Sequence, residues 1–190
     1  CAALVGVFAA NGATHIGDEL VATDVTDFSP YLLKIRQAKP DLVIIGNVIR
    51  RVNPEATAVR ERGIPQMSFP AAFGSLVAAG RHSIVVAGTH GKTTTSALMA
   101  HVLANAGLDP TFLVGGVTLN YTGNFRLGSG PHVVVEGDEY DTAYFDKGPK
   151  FVHCRARTAL LTSIEFDHAD IFTDMAHYES AYARFCSTLP

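Results

Sequence analysis

One stretch, SIVVAGTHGKTTT at residues 83–95, narrows the folds open to this chain more than any other. Residues 83–87 are a short β-branched run suited to a buried parallel strand, and from Ala97 the apolar residues Leu98, Met99, Val102, Leu103 and Ala106 recur at helical spacing until Gly107. The intervening loop therefore sits at a helix N-terminus. Free N–H groups and the positive end of the helix dipole favour an anion there, glycines let the backbone come close, and Lys92 can reach the outer phosphates of a nucleotide. The candidate phosphate-binding residues are Gly88, Thr89, His90, Gly91, Lys92, Thr93 and Thr94, and a Thr hydroxyl beside the lysine, that of Thr93, is the usual kind of magnesium ligand. The general phosphate-loop pattern asks for glycine five residues before Gly91, where this chain has Val86, so the loop is a shorter variant. Three consecutive threonines start a helix poorly on propensity alone, and a local conflict of that kind points to function.

The rest of the chain supplies the setting for such a loop. Of its 190 residues 47% are hydrophobic, enough for one large domain or two small ones. Ser29-Pro30 opens a helix that Pro40 ends, residues 42–45 read as a buried strand, and Asn53-Pro54-Glu55 opens another helix towards Gly63. A short strand at 65–68 and a helix at 70–79 complete a β/α repeat, and residues 1–10 read as the second half of a buried helix. Gly80-Arg81 is the expected junction. Beyond it strands are expected at 83–87, 111–114, 132–136 and 158–164 and a helix at 176–187, while residues 121–130, with three glycines, read as loop. Alternation of strands and helices argues for mainly parallel sheets.

A net charge of −3 disfavours nucleic acid and anionic membranes as partners, and no apolar run approaches the roughly 18 residues of a membrane helix. The three cysteines, Cys1, Cys154 and Cys186, lack metal-ligand spacing and an even count, which points to a reducing compartment such as the cytoplasm. The acids are concentrated in two places, Glu136 to Asp146 and Glu165 to Asp174. Each cluster begins where an apolar strand stops, at the sheet edge where open α/β folds bind ligands. Glu136 and the Thr93 hydroxyl together suit magnesium, which prefers oxygen ligands. For His168 the alternative is a surface or structural histidine, since magnesium seldom takes imidazole, and spacing does not rank Asp138, Glu139, Asp141, Asp167 and Asp170.

The loop AGTHGKTTT at 87–95, the Glu136-x-Asp138-Glu139 cluster and the Asp167-His168 pair together resemble the Mur ligases of bacterial cell-wall synthesis. Within that family, residues 140–147, the Lys150-Phe151-Val152-His153 run and residues 166–172 are similar to the branch that joins a murein tripeptide to UDP-N-acetylmuramate in cell-wall recycling. The resemblance implies an α/β fold with a Rossmann-like UDP-sugar unit at 1–80 and a central P-loop-type ATPase unit at 81–190, both incomplete. It also implies ATP and Mg2+ as cofactors, with UDP-N-acetylmuramate and the tripeptide as small-molecule substrates. Lys92, Glu136 and His168 match catalytic positions, and Thr93, Glu136 and His168 match metal-binding ones. Gly137 stands where Ala is usual and Ser163 where many members have Asn. The glycine turn for the UDP-sugar is expected ahead of Cys1 and a third domain beyond Pro190, so these residues alone are expected not to catalyse ligation. The sister branch, which adds L-alanine to UDP-N-acetylmuramate, is the neighbouring reading. Residues 27–41 look more like periplasmic amino-acid-binding receptors, which leaves a non-enzymatic small-molecule-binding α/β module as the rival.

Overall fold

The computed structural model describes residues 9, 12–17, 29–41, 43–45, 60–63, 65–143 and 145–190. Helix α1 (Ser29–Ala38) precedes two short parallel strands, β1 (Val43–Ile45) and β2 (Gln66–Ser68), in which Val43 lies opposite Gln66. Helix α2 (Phe69–Ala72) starts on Ser68, whose hydroxyl accepts the Ala71 N–H at 3.4 Å, and continues as a π-helical turn, Phe73–Val77. The helices expected at 1–10 and 53–62 lie outside the described residues, apart from residue 9 and residues 60–62.

The main sheet contains β3 (His82–Ala87), β4 (Thr111–Thr118), β5 (Gly123–Arg126), β6 (His132–Glu136) and β9 (Thr158–Leu161) in the spatial order β5-β4-β6-β3-β9. Only β5 runs antiparallel, paired with β4. Side chains alternate across the strands and so build two cores. On one face Ile84, Phe112, Val114 and Val134 pack under helix α3 (Lys92–Asn105) through Ala100. On the other, Val85, Ala87, Val133 and Val135 meet Ala72, Phe73 and Val77 from the α2 segment, Phe151, and Tyr178, Tyr182 and Phe185 from helix α4 (Met175–Cys186). The segment 69–78 thus covers the sheet that follows it. Phe185 is wholly buried against Phe151, with ring centroids 4.7 Å apart, and truncating such a side chain to alanine costs about 3–5 kcal/mol.

Three elements differ from the periodicity reading. The expected strand at 158–164 stops at Leu161, because Thr162 turns its hydroxyl to the His90 carbonyl, at 2.5 Å, and Ser163 carries the chain around the phosphate loop. The stretch read as loop contains β5, which a longer β4 recruits as a hairpin partner. Within the first acidic cluster lies a second hairpin, β7 (Asp141–Ala143) with β8 (Asp146–Pro149), followed by a 3-10 turn, Lys150–Cys154. Backbone pairing closes that hairpin, helped by Asp141, whose carboxylate accepts the Gly148 N–H, and by the Thr142 hydroxyl, which donates to the Gly148 carbonyl, while the exposed Lys147 pairs with the same carboxylate at 2.7 Å.

Candidate functional site

Strand β3 ends in the loop at 88–91, and α3 begins at Lys92 with Gly91 as its cap in the left-handed region, φ 78°. Gly88 has φ 127°, and a Cβ there would lie 2.3 Å from Thr162 Oγ1 and 2.7 Å from the Ser163 carbonyl oxygen, so only glycine fits. The loop is fastened from behind. Thr89 N–H donates to the Ser163 carbonyl at 2.9 Å, its hydroxyl donates to the Glu165 carbonyl at 2.8 Å, and the Glu165 N–H returns a bond to that hydroxyl. Ser163 Oγ accepts the His90 N–H at 3.2 Å, so the serine that replaces asparagine still supports the loop. The His90 imidazole and Thr94 are exposed.

Lys92 folds over this loop. Its Nζ donates to the Gly88 carbonyl at 2.5 Å and the Thr89 carbonyl at 3.2 Å, and lies 3.1 Å from Glu139 Oε2. The Glu139 side chain is fully buried. Around its other oxygen stand His168 Nε2 at 3.3 Å and the Tyr178 hydroxyl at 3.3 Å. The Tyr178 hydroxyl also lies 2.9 Å from Thr89 Oγ1, which closes a ring from loop to acid to α4 and back. His168 is held with φ 54° and packs its ring against Tyr140 at 5.3 Å. Burial and the neighbouring carboxylates of Asp138, Glu139 and Glu136 push the Tyr140 phenol well above its ordinary range, so it stays protonated.

Glu136 sits at the last position of β6. Thr93 Oγ1 donates to its Oε1 at 2.8 Å, and the Gly115 N–H donates to its Oε2 at 2.5 Å. A hydroxyl and a carboxylate oxygen therefore adjoin at the phosphate loop, and that donor chemistry fits magnesium. Among the described residues no group of three or more His, Cys, Asp or Glu side chains forms a ready-made metal cage. Magnesium characteristically keeps waters and takes one or two carboxylates plus substrate phosphates, which agrees with so sparse a set.

Lys92, Thr93, Glu136 and His168 are thus gathered at one carboxyl edge of the sheet, with His168 joined through Glu139. Sequence reasoning did not single out Glu139, Tyr178, Gly115 or Gly116. The glycine pair had a signal, since GG inside an apolar strand marks close backbone approach: a Cβ on Gly115 would lie 2.8 Å from the Glu136 carboxylate, and one on Gly116 3.0 Å from Thr93 Cγ2. Gly137 likewise is more than a small exchange for alanine, because a methyl there would stand 2.7 Å from Val85 Cγ1 and 2.8 Å from Phe151 Cβ. Glu139 carried no such mark. Cys154 is buried, its thiol pushed up to about 12 by desolvation, and is no nucleophile.

Residues 86–190 match the family model described as the Mur ligase middle domain. The chain belongs to the Mur ligase family. A second model, described as periplasmic binding protein, matches residues 1–109, in keeping with the receptor likeness around 27–41. Mur ligase relatives nevertheless extend over nearly the whole chain. The UDP-N-acetylmuramate–L-alanyl-γ-D-glutamyl-meso-2,6-diaminoheptandioate ligase of Escherichia coli (strain K12) is 38% identical over 193 residues, 94% of this chain and 42% of the relative. The UDP-N-acetylmuramate–L-alanine ligase of Desulfatibacillum aliphaticivorans is 37% identical over 79% of this chain and 31% of its own length. A crystal structure of UDP-N-acetylmuramate:L-alanyl-γ-D-glutamyl-meso-diaminopimelate ligase from Neisseria meningitides superposes with a TM-score of 0.80 at 35% identity, covering 98% of this chain and 64% of that one. The chain therefore spans less than half the length of the curated relatives it matches. The Mur ligase α/β fold with its mainly parallel sheet is shared with these structures.

Proposed function

We propose that this chain is the nucleotide-binding part of an ATP-dependent amide ligase that joins a murein tripeptide to UDP-N-acetylmuramate, working with Mg2+ in the cytoplasm. The observation that carries this reading is the 2.8 Å contact between Thr93 Oγ1 and Glu136 beside Lys92. In this reading the loop N–H groups and Lys92 hold the ATP phosphates, and Lys92 stabilises charge on the γ-phosphoryl group as it passes to the muramyl carboxylate with release of ADP. The tripeptide amine then attacks the acyl phosphate and expels phosphate. Thr93 and Glu136 would hold the magnesium, whose charge offsets that of the phosphates. His168 serves as a further metal-binding or orienting group, set by Glu139. The sequence units 1–80 and 81–190 correspond in this reading to UDP-sugar and ATP domains.

Support for the tripeptide branch over the L-alanine branch comes from the wider span of the first relative, 94% against 79% of this chain. The test supplies the protein carrying this chain with ATP, magnesium, UDP-N-acetylmuramate and either the tripeptide or L-alanine, and follows products by mass spectrometry. UDP-muramyl tripeptide is the expected product. Product with L-alanine alone transfers the assignment to the sister branch, and ligand binding indifferent to ATP would favour the receptor-like module that the second family model suggests.

A further inference from the structure

Lys92 has no donor to spare. A lysine ammonium offers three N–H bonds. Its Nζ already meets the Gly88 carbonyl at 2.5 Å, the Thr89 carbonyl at 3.2 Å and the Glu139 carboxylate, at 3.1 Å to Oε2 and 3.3 Å to Oε1. With the side chain only 12% exposed, little room is left for water among these partners. A phosphate that reaches Nζ must therefore take the place of one of them. Two are carbonyls of the loop itself, three and four residues away in the chain. The third is an anion that arrives from 47 residues away, and a second anion replaces it at like charge.

The Glu139 carboxylate is fully buried, yet every contact it makes is long. Besides Lys92, Oε1 faces the Tyr178 hydroxyl and His168 Nε2, each at 3.3 Å, and Oε2 accepts no aligned hydrogen bond among the described residues. An ion pair so imperfectly satisfied recovers little beyond the desolvation of its two charges, so it yields to a better partner. Tyr178 and His168 still face Glu139 once Lys92 has gone, and Thr89 Oγ1, 2.9 Å from the Tyr178 hydroxyl, keeps that hydroxyl in place.

We infer that Glu139 is the counter-ion that holds Lys92 in the empty loop and that the nucleotide phosphates displace it. Glu139 is thus a positioning residue that acts through Lys92 and sets how tightly ATP is held. The inference rests on the ligase reading and deepens it. Lys92 waits over the loop with its charge matched, passes to the phosphates, and returns to Glu139 when the nucleotide leaves. The exchange lowers the apparent affinity by the fraction of time that Lys92 is free of Glu139, which favours release of spent nucleotide. Asp138 supplies the contrast, since its carboxylate pairs with Lys150 at 2.9 Å and not with the lysine of the loop.

Calorimetric titration of ATP into the protein carrying this chain, first with a chelator and then with magnesium, tests the exchange. Without magnesium, Glu139→Gln is expected to bind ATP about tenfold more tightly than wild type, equivalent to about 1.4 kcal/mol. Asp138→Asn, which removes the same charge one residue away, is expected to tighten it by no more than about threefold. Damage to the fold does not tighten binding, so the gain separates the exchange from a merely structural role. Glu139→Asp, which draws the carboxylate back from Lys92 by one methylene, is expected to tighten ATP by a smaller factor and decides the matter if Glu139→Gln does not fold. Unchanged or weaker ATP binding in the Glu139 variant overturns this inference alone, and weakening confined to magnesium reassigns Glu139 as a metal ligand. Equal tightening at Asp138 and Glu139 overturns it too, because a general loss of negative charge then explains both. A wild type without affinity for ATP under either condition overturns the ligase reading and this inference with it.

Discussion

The loop at 88–91 and the loop that follows β6 meet at the same place but are held by different forces. Backbone carbonyls and the hydroxyls of Thr89, Thr162 and Ser163 fix the first. Charge fixes the second, where Asp138 takes Lys150 and Glu139 takes Lys92, while Glu136, at the end of β6 just ahead of it, accepts the neutral Thr93 hydroxyl. Two glycines at positive φ, of which Gly88 also has no room for a Cβ, therefore carry the geometry of one loop, whereas the other depends on which cation Asp138 and Glu139 each meet. Substitutions should consequently fail in different ways in the two loops.

The largest effect is expected at Glu139. Replacing it with alanine strands the nearly buried Lys92 and removes the carboxylate that the partly exposed His168 faces, and should cost about 3–5 kcal/mol in urea unfolding, because removing one member of a buried pair leaves the other uncompensated. Asp138→Asn, at a pair in the same loop whose two side chains stay about one-fifth exposed, should stay within about 1 kcal/mol of wild type. Similar losses at both positions would erase the distinction drawn within the acidic loop.

Next come the two glycines of the phosphate loop. Gly88→Ala has both a disallowed φ and a collision with Thr162 and Ser163, so a loss of about 3 kcal/mol is expected together with loss of nucleotide binding. Gly91→Ala meets nothing within 4 Å and carries only the left-handed strain, about 1–2 kcal/mol. Equal melting shifts for the two variants would show that close approach to residues 162–163 does not matter.

The smallest effect is expected at Asp174, the cap of α4, whose carboxyl accepts the His177 N–H at 2.8 Å. That bond holds its pKa below the ordinary value, so its contribution is present above the unfolded-state pKa of about 3.9 and disappears as pH falls through the lower folded-state value. Wild type and Asp174→Ala should therefore differ in melting temperature at neutral pH and converge in acid. A gap that widened on acidification would reverse the assigned sign.

The strand, loop and helix at 82–105 were legible because apolar runs and glycines report local structure directly, as were β6 and α4. Glu136 could be placed because it is the residue on which an apolar strand ends. Glu139 could not, since an acid in an acidic run shows its importance only when Lys92, Tyr178 and His168 arrive from three separate elements. The β7–β8 hairpin was hidden for a similar reason, being closed by backbone pairing and by polar contacts of Asp141 and Thr142 rather than by alternating apolar residues.

The central claim, that the loop at 88–94 with Glu136 is a magnesium-ATP site, is tested most directly by titrating ATP into the 190-residue chain with and without magnesium and repeating it on Thr93→Val. The account predicts saturable binding at one site, tightened by magnesium in the wild type, with that magnesium effect lost in the variant. Absence of saturable binding, or an affinity indifferent to magnesium in the wild type, would contradict it.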